Sequence, residues 1–210
     1  YFVTGATGFI GRFLVQSLLA RGKGTVYVLV RPKSLGKLDE LREFWGKESV
    51  RRVVAVKGDL GQPKLGVSKG DLTKLKGKVK HFFHLGAVYD LEASAETMHE
   101  ANIVGTQTAL AFAEAVNAGC FHLVSSIAAA GLYRGTFTED MFEEAEDLDH
   151  PYYRTKHDSE GLVRANGRIP YRIYRPGVVV GHSKTGFIDK IDGPYYFFKA
   201  LQKMRESWPR

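Results

Sequence analysis

Tyr152 and Lys156 stand four positions apart, and Ser126 precedes them just after the run Phe121–Val124. Spacing of i, i+4 puts a phenol and an ammonium on one face of a helix. A phenol ordinarily holds its proton up to roughly pH 10. A cation beside it favours the phenolate and brings proton exchange nearer neutral pH. Such a pair can give a proton to a carbonyl oxygen while hydride reaches the carbonyl carbon. A hydroxyl at Ser126 can hydrogen-bond the same oxygen and steady its developing charge. Ser126 is preferred to Ser125 from its position relative to Gly131, and Tyr153 is the second choice for the proton donor. A Tyr-x-x-x-Lys match alone is common by chance, so its weight depends on its surroundings.

Those surroundings include a turn suited to the hydride donor. Thr4-Gly5-Ala6-Thr7-Gly8-Phe9-Ile10-Gly11 follows a short apolar run and opens a helix-period segment. The first glycine allows the tight turn, the second lets backbone approach a pyrophosphate, and the third lets helix and strand pack closely. The helix start offers amide groups and a positive dipole end to the phosphates. Expected contacts are Gly5, Thr7, Gly8, Phe9, Ile10, Gly11 and Arg12. About twenty residues further on, NAD-binding versions place an acidic residue on the ribose. Here that position holds Arg31, with Lys33 close by, and a cation suits a 2′-phosphate. The expected cofactor is therefore NADPH. Asp59 and Leu60 could meet the adenine, and Leu85-Gly86-Ala87 could lie along the cofactor, although both segments also suit plain turns.

The elements that must position these groups are legible as alternation. Strand runs are expected at Tyr1–Val3, Thr25–Val30, Val53–Val56, His81–Leu85, Phe121–Val124 and Tyr171–Val180, several apolar enough to be covered on both faces. Helical patterns lie between them, among them the period of Phe9, Phe13, Leu14, Leu18 and Leu19, the Ala-rich Met98–Ala118, and Tyr152–Arg164 behind Pro151. Such alternation implies an α/β fold with a doubly wound parallel sheet, a Rossmann-type dinucleotide fold. The expected organisation is a core over 1–185 and the start of an incomplete C-terminal substrate lobe over 186–210. Tyr1 falls inside an apolar run and Trp208-Pro209-Arg210 closes no element, so the chain reads as a fragment.

Bulk properties narrow the classes. The 210 residues suffice for one domain with a sizeable core, and no apolar run is long enough to span a membrane. The single cysteine, Cys120, excludes an internal disulfide and suits a reducing cytoplasm, with a small apolar role beside a strand. A net charge of +7 favours phosphate-bearing or acidic partners. The basic residues are scattered and form no nucleic-acid module. The acidic stretch Thr138–Asp149 reads as solvated surface. The 7 histidines show no zinc-type helix spacing, so no metal is expected. His84 and His122 read as satisfied core or loop residues, and His157 as a solvated helix residue.

The glycine turn, the serine after the fifth strand and the Tyr/Lys helix, in that order, resemble the extended short-chain dehydrogenase/reductase superfamily. Within it the chain resembles the N-terminal reductase domain of bacterial fatty acyl-CoA reductases, related to the thioester-reductase and male-sterility group. The likeness runs through the whole chain, and is most particular at H-P-Y-Y-R-T-K, Y-R-P-G-V-V-V-G-H-S and K-I-D-G-P-Y-Y-F-F-K. It implies catalytic roles for Ser126, Tyr152 and Lys156, with Lys156 also touching the cofactor. It implies that Arg175, Pro176, Gly177 and Val178 border the nicotinamide and that Asn102 supports the active-site helix. Gly86 departs from an expected alanine, which reads as harmless. The implied reaction is NADPH-dependent reduction of a fatty acyl thioester, on coenzyme A or acyl carrier protein, or of a fatty aldehyde, towards fatty alcohol. A second reductase domain downstream is also implied. The competing readings are a nucleotide-sugar epimerase or steroid-type dehydrogenase, and a non-catalytic NADPH sensor that binds a protein partner.

Overall fold

The computed structural model describes residues 1–89, 92–188 and 194–207. The chain divides into two compact units, Tyr1–Arg175 and Pro176–Arg210. In the first, the strands are β1 Phe2–Thr4, β2 Val26–Val30, β3 Val53–Lys57, β4 Phe82–His84, β5 Phe121–Val124 and β6 Tyr171–Tyr174. All pair in parallel, in the order β3-β2-β1-β4-β5-β6. The expected doubly wound sheet is therefore present. Its order reverses between β1 and β4, and a crevice at the carboxyl ends of these strands is where such sheets take ligands.

Alternating side chains send the strands into two cores. Phe2, Phe82 and Phe121 stack across neighbouring strands with ring centroids 4.9 and 5.2 Å apart, covered by Phe112 of α6 (Gly105–Ala115). Val3, Val26, Val28 and Val30 pack on the other side against Val15 and Leu18 of α1 (Phe9–Ala20) and Leu38 and Trp45 of α2 (Leu35–Trp45). The small helices α3 (Glu48–Arg52) and α4 (Lys69–Leu75) complete the crossovers on either side of β3.

Two expected elements differ in detail. β6 stops at Tyr174, because Pro176 offers no amide to continue a ladder and constrains the residue before it. The Ala-rich segment begins earlier, at α5 (Ala95–Met98), where the Ser94 hydroxyl accepts from the Thr97 amide, and its His99–Val104 turn is π-helical before α6 resumes. The final core helix, α7, spans Pro151–Asn166 and is closed by Gly167 in the left-handed region. The second unit carries α8 (Pro194–Ser207), and in it the Tyr195 hydroxyl accepts from the Gly181 amide at 2.7 Å. Tyr196, Phe197 and Phe198 of α8 are exposed. Residues 190–193 of the K-I-D-G-P-Y-Y-F-F-K motif lie outside the described residues.

Candidate active site

The glycine turn is shaped by contacts that no side chain could share. Gly5 takes φ +68°, and a Cβ there would come within 2.8 Å of Gly86 N and Leu85 C. A Cβ at Gly11 would collide with the Gly5 carbonyl oxygen and lie 2.8 Å from Ala6 Cα, which is the close helix–strand approach the third glycine allows. The first intrahelical bond of α1 runs from Arg12 N–H to Gly8 O at 3.0 Å. The amides of Phe9, Ile10 and Gly11 therefore precede the ladder, and Gly8 and Ile10 are exposed. These groups fit a pyrophosphate.

The loop after β4 meets this turn, and the loop after β3 in turn meets that loop. The backbone of Leu85-Gly86 lies against Gly5, and a Cβ on Gly86 would run into Leu60 Cδ1. Glycine leaves room for that Leu60 methyl, in keeping with its reading as a harmless departure from alanine. The Asp59 carboxylate accepts from the Gly61 amide at 3.0 Å and so shapes its own turn. Arg31 directly follows β2, the strand next to β1, and its side chain is exposed. Arg12 places its carbonyl under the Trp45 indole N–H at 2.8 Å, tying α1 to α2.

Helix α7 presents the proposed chemistry. Its cap is His150, whose Nδ1 accepts from the Tyr152 amide at 3.1 Å, and Pro151 occupies the first turn as expected. Lys156 is only 6% exposed, and its Nζ lies 6.0 Å from the Tyr152 ring centroid. Burial pushes the Lys156 ammonium down to about 8, against an opposing pull from the Glu160 carboxylate. Glu160, one turn on, is fully buried and is held by Arg175, whose Nε and Nη2 donate to its carboxylate at 2.8–3.2 Å. The same guanidinium donates to the carbonyls of Thr138 and Met141, so it fastens the acidic loop to α7 while that loop's carboxylates stay exposed.

Ser126 starts a short 3-10 turn, Ile127–Ala130, and its hydroxyl accepts from the Ala128 amide at 3.1 Å. That turn is fastened to α7 by His157, whose Nδ1 donates to Ala129 O at 3.1 Å while its ring stacks on Phe142 at 4.2 Å. His157 is therefore a packed tie and not a solvated residue. Asn102, in the π-helical turn, accepts from the Val88 amide at 2.8 Å and donates to Val88 O and to the Thr155 hydroxyl. Thr155 lies between Tyr152 and Lys156, so this amide links the loop after β4 to the Tyr/Lys stretch of α7. Ser126, Tyr152 and Lys156 thus stand on elements held together, and Gly86, which packs against Gly5 and Leu60, lines one cavity with Lys156. Pro176, Gly177 and Val178 open the second unit, where Val178 is exposed.

At the opposite, amino edge lies a group that helix spacing could not reveal, because it forms across strands. His81, Cys120 and His122 have ligand-type atoms all within 4.8 Å of one another. His81 Nδ1 and His122 Nε2 are hydrogen-bonded at 3.0 Å, and His122 Nδ1 bonds the Tyr174 hydroxyl at 3.0 Å. Burial holds both imidazoles below their usual range, followed by the amino terminus and Arg172 for His81 and by His81 and Arg172 for His122. The same positive surroundings disfavour a dication.

The comparisons agree with this architecture. A linear gramicidin synthase polypeptide of Brevibacillus parabrevis is 34% identical over 205 residues, covering 90% of this chain and 4% of that protein. An aldehyde reductase of Aspergillus flavus is 31% identical, covering 99% of the chain and 22% of that protein. The crystal structure of the terminal R domain from the myxalamid PKS-NRPS biosynthetic pathway is 32% identical and superposes with a TM-score of 0.85, covering 97% of this chain and 55% of that one. The chain thus spans only a part of each of these relatives. No helix among the described residues is long and apolar enough to cross a membrane. A model of the NAD-binding family described as Male sterility protein matches residues 3–208, and the chain belongs to that reductase-type family.

Proposed function

We propose that this chain is the NADPH-binding core of a reductase that acts on an acyl thioester, or on the aldehyde formed from it, with fatty acyl groups on coenzyme A or a carrier protein as the substrate class. The observation that carries this reading is the buried Lys156 beside Tyr152, on a helix facing the carboxyl edge where the glycine turn lies. NADPH, when bound, supplies the hydride. The amides at the start of α1, with Gly5, Gly8 and Gly11, hold its pyrophosphate, and Arg31 meets the 2′-phosphate. Tyr152 gives its proton to the substrate oxygen, the Lys156 ammonium favours the resulting phenolate, and the Ser126 hydroxyl steadies the charge on that oxygen. With a thioester, loss of the thiol would leave an aldehyde and NADP⁺, and carrying that aldehyde to the alcohol would take a second NADPH bound in place of the spent one.

In this reading residues 1–185 form the core and residues 186–210 open the substrate lobe. Pro176, Gly177 and Val178 border the nicotinamide, and the full-length protein carries a second reductase domain. The reaction belongs in the cytoplasm, with its supply of reduced dinucleotide.

The test is NADPH oxidation by the full-length protein with a long-chain acyl-CoA, a long-chain aldehyde and a nucleotide sugar. Turnover of the first or second is expected, and Tyr152→Phe should lower it by about 10²–10⁴-fold. Turnover of the nucleotide sugar alone would overturn the substrate class, and full activity in the variant would remove Tyr152 from the mechanism.

A further inference from the structure

His84 ends β4 and is 2% exposed, yet both of its ring nitrogens have partners. Nδ1 lies 2.9 Å from Thr4 Oγ1, and Nε2 lies 3.2 Å from Thr106 Oγ1. The direction of each bond follows from what the hydroxyls already do. Thr4 Oγ1 accepts from the Leu85 and Gly86 amides, both at 3.1 Å, which fills its two acceptor positions. Its own hydrogen must then go to His84 Nδ1. Thr106 gives its hydrogen to the Asn102 carbonyl at 2.6 Å, which cannot donate, so Thr106 must accept from His84 Nε2–H. Two independent counts, one at each end of the ring, give the same tautomer. A second ring proton at Nδ1 would meet a filled hydroxyl oxygen.

The line of bonds has a direction and two destinations. At one end Thr4 holds the amides of Leu85 and Gly86, the backbone that lies against the glycine turn. At the other, Thr106 bonds the carbonyl of Asn102, whose side chain grips both polar groups of Val88 and donates to Thr155 on α7. The loop 85–88 is thus held at both its ends, with His84 between the two holds. His84, Asn102, Thr106, Lys156 and Ser159 also line one small cavity. The charge acting on the ring from α7 is the Lys156 ammonium, which together with burial opposes a second proton.

We propose that His84 is a positioning residue: a permanently neutral Nε2–H imidazole that fixes the loop 85–88 and the Tyr152–Lys156 stretch of α7 relative to each other. This rests on the reductase reading for its consequence, though not for its chemistry. A neutral ring adds no charge beside Lys156, whereas a protonated one would disfavour that ammonium. Because the ring links the cofactor loop to the helix of the proton donor, loosening it should affect turnover more than substrate binding.

The first readout needs no activity. Long-range ¹H–¹⁵N correlation on histidine-labelled full-length protein should show the His84 signal, identified by its loss in His84→Asn, as unprotonated Nδ1 with protonated Nε2 from pH 8 to pH 5. Titration near the ordinary histidine value of about 6.5, or the opposite tautomer, would overturn the proposal. The second readout uses two variants, His84→Asn and His84→Gln, that each keep one half of the line. An Asn amide oxygen can stand where Nδ1 stands and still accept from Thr4, and a Gln amide nitrogen can stand where Nε2 stands and still donate to Thr106. Each should lower kcat by about tenfold or more in protein that melts as a single folded species, with KM for the carbonyl substrate nearly unchanged. Wild-type kcat in both variants would reduce His84 to a packing residue. If neither variant folds, the tautomer measured on the unaltered protein decides. If the unaltered protein reduces no carbonyl substrate, the reductase reading fails while the tautomer result still stands.

Discussion

At the carboxyl end of β4, His84 sits between two threonine hydroxyls. At the amino end, His81 and His122 bond each other in a row of rings that runs from Tyr1 through Phe83 to Tyr174. Both sites keep their imidazoles neutral, His84 near a pKa of about 3 and His122 near about 4, with burial the leading cause in each. What differs is where the second contact leads. The lines from His84 reach loop 85–88 and α7, whereas those from His122 reach His81 and the exposed Tyr174 on the edge strand. Carboxyl-end loops in a parallel sheet diverge to make a site, and amino-end loops close it off. The same residue type is therefore tied to the proposed site at one edge and to packing at the other.

The largest effect that would test this contrast lies at the carboxyl edge. Arg31→Asp replaces a cation by an anion where the 2′-phosphate is proposed to bind. NADPH affinity should fall by about 10²-fold while NADH affinity changes little, since charge-assisted bonds to phosphate are the ones lost. Dinucleotide titration of the full-length variant checks it, and equal loss of both cofactors would remove Arg31 from recognition. No amino-edge substitution should alter that ratio.

The next effect separates activity from stability. The Lys156 ammonium has a folded-state pKa of about 8 against an ordinary value of 10.5, so the folded protein binds fewer protons than the unfolded chain between those values. Stability contributed by this group therefore rises as pH climbs from about 8 towards 10.5. Turnover that needs the ammonium should fall over the same rise. Opposite slopes of kcat and of the denaturation midpoint, both flattened in Lys156→Met, are the expected outcome. Parallel decline of the two would show that Lys156 is not the group lost.

These contrasts also mark what the primary structure can and cannot show. Gly5, Gly11, Tyr152 and Lys156 were legible because their constraints are local: a turn, a close approach, a helical spacing. The parallel sheet was legible through strand–helix alternation. The ties made by His84 and His157 were hidden because each depends on partners far along the chain, such as Thr4 for His84 and Ala129 for His157, and the support that Asn102 gives α7 was legible only through the family resemblance. Cys120 and the two histidines beside it converge only through the register of β4 and β5. The shortening of β6 is the reverse case: Pro176 marks it locally, while the apolar run Val178–Val180 has the composition of a continuing strand.

The smallest effect tests the amino edge on its own terms. His122 is buried neutral, so below its unfolded value of 6.5 the unfolded chain takes up a proton that the folded protein refuses. Its contribution to stability is present above pH 6.5 and is lost as pH falls towards about 4. His122→Phe keeps a ring against Phe83, which now stacks at 4.3 Å, but forfeits the bonds to His81 and Tyr174. Stability at pH 7 should drop by about 1 kcal/mol. The further loss on acidification should be shallower than in the unaltered protein, because the refused proton is gone. Among the described residues the hydrogen bonds of this ring run to His81 and Tyr174 and not to loop 85–88 or α7, so kcat at pH 7 should stay within about twofold, the range expected of a change that touches packing alone. A tenfold fall in kcat would instead make the amino edge part of the catalytic machinery and dissolve the distinction between the two ends of the sheet.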